Sequence, residues 1–130
     1  MDFIYATNPA SQSVAAAAPV TVVTTVRRYG SIDVKNGAVA LSENGWYKVT
    51  ATVTFQSAAG EAAVSVYQDG VQVTGATSSL TAEATTTYTL VVTAIVRKTG
   101  CPCSESILTI VNSGATALTV SAASIVVEKE

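Results

Sequence analysis

Cys101-Pro102-Cys103 is the one motif in this 130-residue chain that suggests chemistry by itself. Structural zinc normally takes its thiolates from C-x-x-C spacings with a second ligand pair elsewhere, and one chain here offers neither. A disulfide between the two cysteines would close a very tight ring against ordinary disulfide geometry. Two readings remain: two free thiols in a loop after Gly100, or sulfurs that meet those of a neighbouring subunit as a disulfide or thiolate cluster. Pro102 removes one backbone donor and fixes its φ, which fits an exposed reversal between a strand ending at Val96 and one beginning near Ser106.

The other reactive side chains are less promising. The chain contains no histidine, which excludes the nucleophile–base–acid triads that rely on imidazole as the general base. Asp33, Glu43, Glu61, Asp69, Glu83 and Glu105 fall in expected turns or strand ends, where carboxylates usually serve only solvation, so a catalytic acid pair is not expected. No Asp-rich loop of the calcium-binding kind is present, and no cofactor or metal is expected. Trp46, in Gly45-Trp46-Tyr47, is open to different uses: an exposed indole can stack on a sugar face, or it can pack under a loop or at a subunit contact, as strand-end aromatics more often do.

These residues must be carried by strands. Hydrophobic residues make up 48% of the chain and charged ones 12%, well under the usual quarter, with valine, threonine and alanine filling the difference. Branched side chains suit a pleated, half-buried surface, and long helix formers are sparse, so the chain reads as all-β and as one domain over residues 1–130. The net charge of −2, with basic residues scattered apart from Arg27-Arg28 and Arg97-Lys98, argues against nucleic acid. Both basic pairs are expected to be solvated loop or strand-end charges. No apolar run approaches the ~20 residues of a membrane span. The N-terminal segment opens with an acid and has no continuous apolar core before Ala15. It is therefore expected not to be a secretory leader, and the chain is expected to be made in the cytoplasm.

Between Gly45 and Ser57 the alternation is nearly unbroken. Tyr47, Val49, Ala51, Val53 and Phe55 share one face, while Lys48, Thr50, Thr52, Thr54 and Gln56 share the other with Trp46. This predicts a long antiparallel strand with a buried and a polar face. Asp69-Gly70 between alternating runs predicts a tight hairpin, and Asn36-Gly37 a shorter one. A second long strand runs through Tyr88, Leu90, Val92, Ala94 and Val96, with threonines dominating its other face. "APVTVVTTV" reads as one early strand. "SILTIVN" and "ATALTVSAASIVVE" close the chain around a tight turn at Asn112-Ser113-Gly114, and a phase slip in the last run predicts a bulge at Ala123 or Ser124. Many short strands with frequent turns imply a sandwich or barrel, with the jelly roll a main option.

The order of "AAAAPVTV", "GWYKVTATVTF", "VYQDGVQVTGA" and "ILTIVNSGATALTVSAASIVVEK" resembles the tumour necrosis factor-like and complement globular-head jelly roll. The similarity is greatest to the branch at the ends of bacterial exosporium and phage fibre proteins, although no collagen-like Gly-x-y segment is present. The resemblance implies an antiparallel jelly-roll sandwich with paired terminal strands, packed as a homotrimer through sheet faces rich in aromatic and aliphatic residues. The expected role is a non-enzymatic module of a phage particle or similar extracellular assembly: capsid decoration, head fibre or receptor-binding head. Its partners would be its own copies, capsid or fibre proteins, and a host-surface carbohydrate or protein. A secreted or surface lectin-like or cytokine-like module is the alternative, and a polysaccharide-degrading enzyme a distant third.

Overall fold

A computed structural model describes residues 2–100 and 104–130. The described residues form β1 (Phe3–Asn8), β2 (Gln12–Val14), β3 (Pro19–Val20), β4 (Thr24–Tyr29), β5 (Asp33–Lys35), β6 (Ala38–Leu41), β7 (Gly45–Ser57), β8 (Gly60–Gln68), β9 (Val71–Ala82), β10 (Tyr88–Lys98), β11 (Ser106–Asn112) and β12 (Leu118–Lys129). One antiparallel sheet has the order β10-β7-β12-β1-β4, with β2 also on β12; the other has the order β5-β6-β11-β8-β9, with β3 on β11. No described helix is long and apolar enough to cross a membrane.

The alternation in β7 positions the core. Tyr47, Val49, Ala51, Val53 and Phe55 are all fully buried, facing Val39, Leu41, Val64, Val66, Leu108 and Ile110 in a shared apolar cluster. Leu90, Val92 and Val96 of β10 continue that layer, and Phe55 packs on Tyr88 with ring centroids 6.1 Å apart. Both expected hairpins form. Asn36 and Gly37 have φ of 52° and 76°, Asp69 and Gly70 have 53° and 81°, and two positive values in succession match the twist of the flanking strands.

Several local expectations are corrected. "APVTVVTTV" is not one strand: β3 pairs with β11 in one sheet and β4 with β1 in the other, so the chain changes sheet between Val20 and Thr24. β11 and β12 likewise enter opposite sheets, so these two closing strands do not pair with each other as expected; β12 pairs with β7, β1 and β2. Asn112 anchors that crossing. Its buried Nδ2 donates to the carbonyls of Val14, Ala15 and Thr116, and its Oδ1 accepts from the Gly114 amide, which ties the crossing to the loop after β2 and to its own turn. The β12 register slips between Val120 and Ala122, which puts the bulge at Ser121, just before the expected positions. β1 and β2 are additions to the strands expected from the sequence, pairing with the two halves of β12 on either side of that bulge.

Candidate functional site

The outer face of the β10-β7-β12-β1-β4 sheet carries the residues that a partner would meet. Cross-strand register sets them in rows. Val91, Thr52, Ser124, Thr7 and Thr24 form one; Thr93, Thr50, Val126, Tyr5 and Arg27 the next; Ile95, Lys48, Glu128, Phe3 and Tyr29 the third; Arg97 and Trp46 begin a fourth. The middle of the rows holds threonine, serine, Val126 and an opposed Lys48–Glu128 pair. Exposed apolar side chains lie toward both flanks, interspersed with Thr93, Thr24 and Arg27. On the β10–β7 flank Val91, Ile95 and Trp46 are 52%, 56% and 52% exposed, and on the β1–β4 flank Tyr5, Val26 and Tyr29 are also exposed. With strands about 4.8 Å apart, β10 and β4 lie about 19 Å from each other.

Bulges shape the face further. The extra residue at Ser121 and a second bulge leaving Val26 unpaired in β4 break its regularity. Beside Ser121 is an open hollow of about 300 Å³, floored by Thr52, Thr54 and Ala122–Ser124 and walled by Tyr5 and Pro9.

Trp46 lies on the outer face, opposite Arg97, whose guanidinium carbon sits 5.2 Å from the indole centroid. Such a cation–π contact is worth about 0.5–1 kcal/mol at an exposed site. It also covers one face of the ring, so a sugar stacked there would have to use the other face. Of the two basic pairs, Lys98 departs from expectation: it is 3% exposed, with Nζ 3.1 Å from Asn44 Oδ1, while the Asn44 amide donates to the Gly100 carbonyl. Burial at the β10 terminus, against the loop entering β7, removes it from solvent.

Four of the six carboxylates singled out in the sequence make contacts that serve the fold. Asp69 accepts from the Ile107 amide and the Ser106 hydroxyl, pinning the hairpin tip to β11. Glu105 binds Lys35 at 2.8 Å, Glu43 binds Lys129 at 3.0 Å, and Asp33 lies 4.0 Å from Arg28. Buried Tyr47 donates to the Glu43 carbonyl, and desolvation raises its hydroxyl pKa; the bond to Glu43 raises that of Lys129. Among the described residues no three acidic, cysteine or histidine side chains gather as a metal site. Cys101 and Cys103 lie outside the described residues.

No family model matches the chain, and no curated protein matches its sequence. Solved structures do. The globular domain of zebrafish complement 1qA superposes with a TM-score of 0.72 at 9% identity, covering 99% of this chain and 97% of the other. Eiger TNF from S. frugiperda gives 0.71 at 13% identity, covering 100% and 94%. The fold is that of the tumour necrosis factor and complement globular heads. The same jelly roll is also found in PRD1 vertex protein P5, with a TM-score of 0.65, 16% identity and coverage of 98% and 96%. The jelly roll expected from the strand order, and its likeness to a phage protein, are thus both observed.

The apolar flanks were only partly visible in the sequence. Threonines do dominate the outer side of β10, but Val91 and Ile95 interrupt them, and an apolar residue on each face of one strand is the signal that the alternation alone conceals. Tyr5 and Tyr29 become neighbours on the face only through the pairing of β1 with β4, 24 residues apart in the chain for that pair.

Proposed function

We propose that this chain is a non-enzymatic structural or adhesion module of a phage particle, acting as a homotrimer that decorates a capsid, forms a head fibre or presents a receptor-binding head. The observation that carries the proposal is the pair of unlike apolar flanks on one sheet face. A single self-complementary patch favours a twofold dimer. Two different patches at opposite edges favour head-to-tail contact, which closes as a ring when the rotation allows. Val91, Ile95 and Trp46 of one copy would then meet Tyr5, Val26 and Tyr29 of the next, and the small residues between them permit close approach. The likeness to PRD1 vertex protein P5 supports the particle setting. Function would come from avidity, with three weak sites on one rigid head engaging a host-surface carbohydrate or protein while the body attaches to capsid or fibre proteins.

The likeness to Eiger TNF favours a second reading, a secreted or surface cytokine-like or lectin-like module. Capsid or portal genes beside this gene would support the particle reading, and their absence would count against it. Sedimentation equilibrium at micromolar concentration tests the trimer: about three times 13.2 kDa is expected, and a clean monomer would refute it. Ile95→Glu should shift the mass toward monomer while leaving the strand spectrum intact. We further propose that Cys101 and Cys103 pair with the cysteines of neighbouring copies as a disulfide after release from a reducing cytoplasm. A reducible trimer band on electrophoresis, lost in Cys103→Ser, is the expected result; monomer alone would leave two free thiols.

A further inference from the structure

The chain has four asparagines, and the fold treats them very differently. An asparagine side chain is open to attack by the backbone nitrogen of the next residue when three conditions hold. That nitrogen must carry a hydrogen, the following residue must not crowd the approach, and the side-chain amide must be free to turn toward it. Asn8 fails the first condition, because Pro9 has no N–H. Asn112 fails the third: it is fully buried and its amide is held at both ends. Asn44 and Asn36 both precede glycine and are both exposed.

What separates these two is restraint. Asn44 has both ends of its amide engaged, by Lys98 Nζ at 3.1 Å and by the Gly100 carbonyl at 2.7 Å, at the entry to the 13-residue β7. Asn36 has no side-chain hydrogen bond to another described residue. It sits at the tip of the hairpin joining β5, a three-residue strand at the edge of its sheet, to β6. A short edge hairpin opens locally at far less cost than a central strand, and attack requires such opening because Gly37 O is held by the Val22 amide. The comparable Asp69-Gly70 turn is restrained as Asn44 is, with both carboxylate oxygens engaged.

We infer that Asn36-Gly37 is a self-modification site at which the β5–β6 hairpin rearranges with time. The Gly37 nitrogen bonds to Cγ of Asn36 and loses its proton, the Cγ–Nδ2 bond breaks, and ammonia leaves, giving a cyclic imide. Water then opens the imide at either carbonyl, yielding aspartate or isoaspartate. No oxidant or reductant takes part. Either product places a negative charge next to Lys35, which already binds Glu105. Isoaspartate also adds a methylene to a two-residue turn whose φ values suit only its present length.

The test uses the intact folded protein, held at mildly alkaline and at mildly acidic pH, with a denatured sample as control. Peptide mapping by mass spectrometry follows the amide-to-acid mass change at each Asn-Gly step. In the folded protein at alkaline pH, Asn36 should convert at least about tenfold faster than Asn44, as expected when only one of the two can open locally. In denaturant the two rates should converge. Equal rates in the folded protein, or an intact Asn36 under conditions where the denatured chain reacts, would overturn the inference.

Discussion

Replacing Asn112 with alanine should be among the most costly single changes outside the apolar core. The side chain is fully buried and makes four hydrogen bonds, to the carbonyls of Val14, Ala15 and Thr116 and from the Gly114 amide. Alanine removes all four and leaves their partners behind. Leaving a buried polar group unpaired costs about 1–3 kcal/mol. The Val14 and Gly114 bonds are buried and the other two only partly so, where water can replace them at smaller cost. The Ala15 carbonyl keeps the Ala18 amide, so two losses near 1.5 and one near 0.5 give about 3.5 kcal/mol, a large share of the ~5–15 kcal/mol available to a domain. Denaturant titration at one fixed protein concentration, needed because self-association would shift the midpoint, measures the difference. Asn112→Asp refines the argument, since it keeps the acceptor for Gly114 but turns a carboxylate oxygen toward three carbonyls. Its folded pKa would lie above the unfolded ~3.9, so the variant should be closest to wild type below that pH and lose stability as pH rises through the raised value. An Asn112→Ala protein within 1 kcal/mol of wild type, a threshold set by the usual net worth of one hydrogen bond, would refute the account of this crossing.

In β7, Phe55→Ala should cost about 3–5 kcal/mol, whereas Thr52→Ala, on the outer face, should cost far less in the monomer; equal costs would contradict the strand's phase. Stability should fall as pH rises past 10: Tyr47 and Lys129 both have folded pKa values raised above their ordinary 10.0 and 10.5, so each contributes below the unfolded value and loses that contribution above it. Tyr47→Phe should lose about 1 kcal/mol at neutral pH by deleting the bond to the Glu43 carbonyl, and should flatten the alkaline decline; an unchanged pH profile would assign that decline elsewhere.

The core of this protein was legible because a strand has a period of two. In β7 every apolar residue from Tyr47 to Phe55 falls on one side, and without a bulge between them none can change face unless all do. The two hairpins were legible for a similarly local reason, since Asn36-Gly37 and Asp69-Gly70 accept the positive φ that a two-residue turn demands. Which sheet a strand joins is not a local property. β3 and β4 are separated by three residues, and β11 and β12 by five, yet each pair divides between the sheets, because pairing depends on partners distant in sequence and on a buried polar anchor such as Asn112. The bulge in β12 was visible as a slip in phase, but its place at Ser121 was set by β1, β2 and β7, which pair on either side of it.

The candidate face divides in the same way. Trp46 and the threonines of β7 could be assigned to the outer surface from alternation alone. That Tyr5, Tyr29 and Val126 join them, and that Arg97 covers one side of the indole, depends on cross-strand register. The sequence by itself determined the class of structure, the buried side of its longest strands and the absence of imidazole chemistry, because these follow from residue type and period. Tertiary structure decided the division of strands between sheets, the burial of Lys98 and the rows that set two apolar flanks about 19 Å apart, because each needs backbone hydrogen bonds between segments that the chain itself keeps far apart.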